Sequence, residues 1–92
     1  MRAKLSDEQI TTALTKLPGW AREGNLITKT YKFGKFAEGI SFVQRVAVAA
    51  DAMDHHPDID IRYTKIRIAL STHDAGGVTE MDTKLAGQIE SS

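Results

Sequence analysis

Histidine is the side chain whose charge changes near neutral pH, and this chain holds three: His55, His56 and His73. Two are adjacent in Asp54-His55-His56-Pro57-Asp58, flanked by carboxylates and stopped by a proline. Two or three imidazoles in one place can give and take protons at cell pH, and a neighbouring carboxylate fixes the tautomer and orients the ring. Asp51 stands four residues before His55. A helix that persists to that point brings its carboxylate to the imidazole on the same face. Whether His73 joins the pair depends on the elements in between.

Those elements read clearly. Ser6 and Gln9 form a capping-box pattern that opens a first helix with Ile10, Leu14 and Leu17 as its apolar stripe, and Leu17-Pro18-Gly19-Trp20 ends it. A hairpin follows, Trp20 to Glu23, a turn at Gly24-Asn25, then Leu26 to Phe33. From Phe36 to Met53 the period becomes helical. Phe36, Ile40, Val43, Ala47 and Ala50 make one apolar line; Phe42, Val46, Ala49 and Met53 make a second. Together they predict a core helix whose apolar arc covers nearly half the circumference. After Pro57, Ile59, Ile61 and Tyr63 alternate, then Ile66, Ile68 and Leu70. With Thr64-Lys65 as the turn, Tyr63 faces Ile66, Ile61 faces Ile68 and Ile59 faces Leu70, so six apolar residues share one face. Gly76-Gly77 and a last helix complete the chain, with Thr79 as cap and Val78, Met81, Leu85 and Ile89 pointing inward. The expected fold is a single α+β domain over residues 1–92. It has a four-stranded antiparallel sheet of two hairpins and three helices on one face, in the order α-β-β-α-β-β-α.

Extending that second hairpin register past Asp58 places His56 opposite His73, with β-carbons about 5 Å apart. His55 stands beside them where the core helix ends. Three readings compete for the cluster. Histidines near a helix C-terminus often only cap it; convergence of all three from separate elements argues against that here. Three imidazoles and a carboxylate would satisfy zinc, yet adjacent residues in extended chain point apart and the usual spacings of a histidine zinc site are missing. Metal-free acid–base chemistry remains the favoured reading. Asp82 follows Thr79 by three residues, where a capping-box acid is expected.

Composition narrows the classes further. Twelve Lys plus Arg balance 12 Asp plus Glu, so no net field draws the chain to nucleic acid or an anionic membrane. Cysteine is absent, which removes thiolate catalysis and thiolate metal sites and fits a reducing compartment. The first ten residues are polar, no apolar run reaches membrane-spanning length, and phosphate-loop, dinucleotide and GxSxG patterns are missing. A cytoplasmic, soluble protein is expected. At 92 residues a single core is just sufficient, which favours a homo-oligomer.

An acidic residue, His-His-Pro, an aromatic, a further histidine and a final aspartate are met here by Asp51, His55-His56-Pro57, Tyr63, His73 and Asp82. In this pattern the chain resembles the pterin-4a-carbinolamine dehydratases. Leu17-Pro18-Gly19-Trp20, the run from Leu70 to Gly77 and Thr79-Glu80-Met81-Asp82 extend the resemblance over effectively the whole domain. The resemblance implies a homodimer or homotetramer assembled through helices and sheet edges. It implies loss of water from 4a-hydroxytetrahydrobiopterin, or a related pterin, to give quinonoid dihydropterin, with no cofactor and no metal. It places His55, His56 and His73 as catalytic residues, with Asp51, Pro57 and Asp82 binding or orienting. Ile59 departs from members that carry an aromatic residue two places after the proline, so no stacking role is expected there. The family also includes cofactors of a homeodomain transcription factor, so a protein-interaction module is the alternative.

Overall fold

Ser6 opens the first helix in the expected way: its Oγ accepts the Gln9 amide at 3.1 Å while its own amide donates to Gln9 Oε1 at 2.9 Å. This helix, α1, spans Asp7–Leu14 in a computed structural model that describes residues 3–92. Met1 and Arg2, the beginning of the polar start, lie outside the described residues. The α-helical pattern stops three residues before Leu17. The amides of Thr15, Lys16 and Leu17 bond to carbonyls three residues back, tightening the exit before Gly19 turns it at φ 84°.

Strands β1 (Ala21–Glu23) and β2 (Leu26–Lys32) form the first hairpin, with Gly24 at φ 56° in its turn. Helix α2 (Phe36–Met53) leads to β3 (Asp58–Arg62) and β4 (Lys65–Leu70); a short 3-10 turn, His73–Ala75, precedes α3 (Glu80–Glu90). The sheet order is β1-β2-β4-β3, all antiparallel, so the two hairpins join through β2 and β4. Ile27, Ile66, Ile68 and Leu70 lie on the face toward the helices, where they are fully buried with Ile10, Val46, Leu85 and Ile89. Among the described residues no helix is long and apolar enough to cross a membrane.

Two expectations need correction. Ile61 pairs with Ile66 and Ile59 with Ile68, so the second hairpin turns at Tyr63-Thr64, not Thr64-Lys65. A register shifted by two residues keeps the isoleucines on the same face, so alternation cannot distinguish the two solutions. Tyr63 leaves the ladder, takes φ 52° and stands 74% exposed. The Phe33 amide donates to the Thr64 carbonyl at 2.9 Å, which continues the β2–β4 ladder into the turn. The second correction concerns α2. Gly39, Phe42, Val46 and Ala50 are its buried residues, with Val43, Ala49 and Met53 partly buried against the core, so the apolar arc is narrower than the expected half-circumference. Phe36 (49% exposed), Ala47 and Val48 (71% exposed) remain on the surface.

At its far end α3 is tied to the first hairpin by a carboxylate. Glu90 Oε2 accepts from Lys29 Nζ at 2.7 Å, from Trp20 Nε1 at 3.2 Å and from the Tyr31 hydroxyl. Burial pushes the Glu90 carboxyl up, but the hydrogen bonds from Lys29, Tyr31 and Trp20 and the Lys29 charge outweigh it and hold the group below its usual range. Burial and the Glu90 contact both push the Tyr31 hydroxyl up. A carboxyl depressed on folding contributes stability above its unfolded pKa and loses it as pH falls through the folded value. Replacing Glu90 by Gln should therefore cost about 2 kcal/mol at neutral pH, the order of a charge-assisted hydrogen bond. In thermal unfolding the gap from wild type should close as pH drops below the ordinary carboxylate range; a gap independent of pH would contradict this.

Candidate active site

The sequence of α2 drives its end toward α3. After Met53 the chain cannot continue as helix because Asp54 takes a left-handed conformation, φ 49° and ψ 43°. The His55 amide then donates to the Ala50 carbonyl and the Asp54 amide to the Asp51 carbonyl, both at 3.1 Å, which is a Schellman closure. This closure breaks the helical relation between Asp51 and His55. The His55 ring meets α3, where its Nε2 lies 2.5 Å from Asp82 Oδ1. Asp51 instead reaches His56, with Oδ1 2.9 Å from Nε2. The expectation that Asp51 orients His55 is thus corrected: the neighbour exchange follows from the left-handed residue at Asp54.

The two pairs differ in environment. Asp82 is fully buried and the His55 side chain only 13% exposed, whereas His56 and Asp51 are 56% and 77% exposed. An exposed pair of that kind is worth little energetically because water competes for both groups. The buried carboxylate needs donors on both of its oxygens. Asp82 Oδ2 accepts the Thr79 amide at 2.8 Å and the Thr72 hydroxyl at 2.9 Å, leaving Oδ1 for His55. Asp82 is therefore at once the cap of α3 and the partner of the imidazole.

Proton counting fixes the tautomer. A carboxylate only accepts, so His55 donates from Nε2, and in the neutral ring the lone pair sits on Nδ1. Thr72 spends its one hydroxyl proton on Asp82, so the Thr79 hydroxyl donates to Thr72 Oγ1 at 2.7 Å. The Met81 amide in turn donates to Thr79 Oγ1 at 3.2 Å. A one-way chain of donors thus runs into the carboxylate that grips His55.

His73 opens the 3-10 turn, exposed, with no hydrogen bond or ion pair of its ring among the described residues. In the observed register the ladder ends at Asp58 and Ala69, and its extension sets Ser71, not His73, opposite His56. His73 is held near the site another way, as the residue after Thr72. Pro57, half-buried, lies between the left-handed Asp54 and β3, and its fixed φ and missing amide suit that exit. No three His, Asp or Glu side chains gather in an arrangement that could hold a metal ion among the described residues. A groove of about 380 Å³ lined by Glu80, Met81, Thr83 and Lys84 runs beside Asp82 along the start of α3, and none of the histidines lines it.

Sequence reasoning singled out six candidate site residues but missed Thr72 as a member of the network. Its signal was present: a hydroxyl residue immediately before His73, with the capping Thr79-Asp82 pair a few residues on.

Comparison with known proteins identifies the family. The family model described as "Pterin 4 alpha carbinolamine dehydratase" matches residues 3–92. A relative from Roseiflexus sp. (strain RS-1) named "Putative pterin-4-alpha-carbinolamine dehydratase" is 50% identical over 90 residues, 98% of this chain and 97% of its own length. Another of that name, from Sulfurisphaera tokodaii, is 45% identical over 87 residues, covering 95% and 94%. The crystal structure of a "transcriptional coactivator/pterin dehydratase" from Brucella melitensis superposes with a TM-score of 0.92 at 32% identity, over 96% of each chain. With the family model matched over residues 3–92 and its fold shared, the chain belongs to the pterin 4 alpha carbinolamine dehydratase family.

Proposed function

We propose that this chain removes water from 4a-hydroxytetrahydrobiopterin, or a related 4a-hydroxytetrahydropterin, to return quinonoid dihydropterin to the cycle of aromatic amino acid hydroxylases. The observation that carries the reading is the buried Asp82 carboxylate gripping His55 at 2.5 Å. A neutral His55 presents the Nδ1 lone pair to substrate and takes the proton from N5 of the pterin. The N5 electrons then form the double bond to C4a, the C4a–oxygen bond breaks, and the hydroxyl leaves as water after receiving a proton from an imidazolium, His56 or His73. Asp82 stabilises the positive charge that develops on His55, as the buried aspartate of a catalytic triad does for its histidine. Asp51 orients His56, and Pro57 sets the chain's exit from α2 into β3. One proton enters and one leaves, so exchange with water resets the site.

Enzymatically generated 4a-hydroxytetrahydropterin should decay faster with the protein than without it, and an unchanged rate would overturn the assignment. His55→Ala, His56→Ala and His73→Ala should each lower the rate with the fold intact. General acid–base groups typically supply about 10²–10⁴-fold, and His55, the carboxylate-backed group, should show the largest loss. Equal activity in all three variants would leave the histidines structural.

The outer face of α2 supports a homodimer or homotetramer as the working form. Val48 stands 71% exposed on it, and Arg45, Val48, Ala49 and Ala52 line a groove with Gln88, Ser91 and Ser92 of the α3 end. In sedimentation, wild type should run larger than a monomer and Val48→Glu smaller than wild type. A monomeric wild type would contradict this. The same face would serve a protein partner in the interaction-module reading, for which the histidine network is superfluous.

A further inference from the structure

The two segments that carry His55 and His73 leave different elements, α2 and β4, yet both end on one side chain. His55 binds Asp82 through Oδ1 and Thr72 binds it through Oδ2. Thr72 is itself rigidly placed. Its amide donates to the Gly77 carbonyl at 2.8 Å, and its carbonyl accepts the amides of Ala75 and Gly76 at 3.1 and 3.0 Å. The segment from Thr72 to Gly77 thus closes on itself as a small unit carrying His73, and a β-bridge between Thr72 and Gly77 marks the closure.

The Thr72 side chain is the hydroxyl through which that unit bonds to both Asp82 and Thr79. We propose that Thr72 is a positioning residue: its hydroxyl sets the place of the His73 turn relative to His55 and holds Asp82 in the rotamer that fixes the His55 tautomer. The proposal rests on the dehydratase reading for its kinetic consequence only. Its one proton goes to Asp82 and one of its two lone pairs takes the proton of Thr79, so it has no proton left to donate to substrate. It acts through other residues.

Removing it frees one of the three bonds that pin the carboxylate. Asp82 Oδ2 would keep only the Thr79 amide, and the Thr79 hydroxyl would lose its acceptor. The carboxylate could then rotate about its own side chain, and the imidazole that follows Oδ1 would lose its fixed direction. Reacting groups tolerate little of this, since displacement by about 1 Å can cost on the order of 100-fold in rate.

Three forms of the full chain test it: wild type, Thr72→Val, which keeps the shape and loses the hydroxyl, and Thr72→Ser, which keeps the hydroxyl. Nitrogen-15 spectra of the imidazoles should show wild-type His55 as the Nε2–H tautomer and Thr72→Val as a mixture. In turnover, Thr72→Val should lose roughly 10-fold to 100-fold in kcat with KM within about 2-fold, and Thr72→Ser should return to within about 3-fold of wild type. A merely structural role would not give a kcat-only loss with rescue by serine. Thr72→Val with wild-type kcat and tautomer overturns the proposal, as does Thr72→Ser no better than Thr72→Val. If Thr72→Val does not fold, Thr72→Ala replaces it under the same criteria, and a wild-type His55 protonated on Nδ1 alone overturns the proposal without any variant. Should wild type not dehydrate the pterin, the dehydratase reading fails while the nitrogen-15 comparison still decides the role of Thr72.

Discussion

A carboxylate with no exposed surface must find its hydrogen-bond donors inside the protein, and Asp82 is in that position. Most of the site's geometry follows from how it does so. One oxygen is committed to the start of α3 and to Thr72, and the other takes His55. The left-handed turn at Asp54 makes the meeting possible by steering the chain off the end of α2. Three elements that are distant in sequence, the exit of α2, the loop after β4 and the first turn of α3, are joined at one side chain.

The same molecule solves a similar problem at the other end of α3 in a different way. Glu90 gathers Trp20, Lys29 and Tyr31, but it stays partly exposed and uses one oxygen for all three. That network fixes the helix against the first hairpin, while the Asp82 network leaves His55 Nδ1 without a hydrogen-bond partner among the described residues. The contrast separates the two carboxylates: the groups that donate to Glu90 all belong to the fold's packing, whereas the one that donates to Asp82 Oδ1 is an imidazole with a second ring nitrogen.

Much of this was legible in the sequence, and the failures have definite causes. The element order, the caps at Ser6 and Thr79 and the inward isoleucines follow from local rules that the tertiary structure did not override. The hairpin register missed by two residues because a two-residue shift leaves Ile59, Ile61, Ile66 and Ile68 on the same face, and the turn sequence offered no glycine to decide between them. Pairing His56 with His73 through the ladder failed with it. The partner of His55 was misjudged because helical spacing extrapolates past Met53, whereas a non-glycine residue at positive φ cannot be foreseen from spacing. Asp82 was recognised twice, as cap and as motif acid. What the sequence could not say is that one carboxylate performs both tasks with its two oxygens.

Replacing Asp82 by Asn tests that account most directly. The amide oxygen can still accept from Thr79 and Thr72, so the cap survives, but the amide nitrogen now donates toward His55 Nε2 and forces the ring proton onto Nδ1. If Asp82 acts by fixing the tautomer, the variant should retain its circular dichroism and lose roughly 10³–10⁴-fold in turnover of the 4a-hydroxypterin, the scale of the same exchange in a serine-protease triad. Turnover within about tenfold of wild type would contradict the account, because a wrong tautomer cannot take the N5 proton.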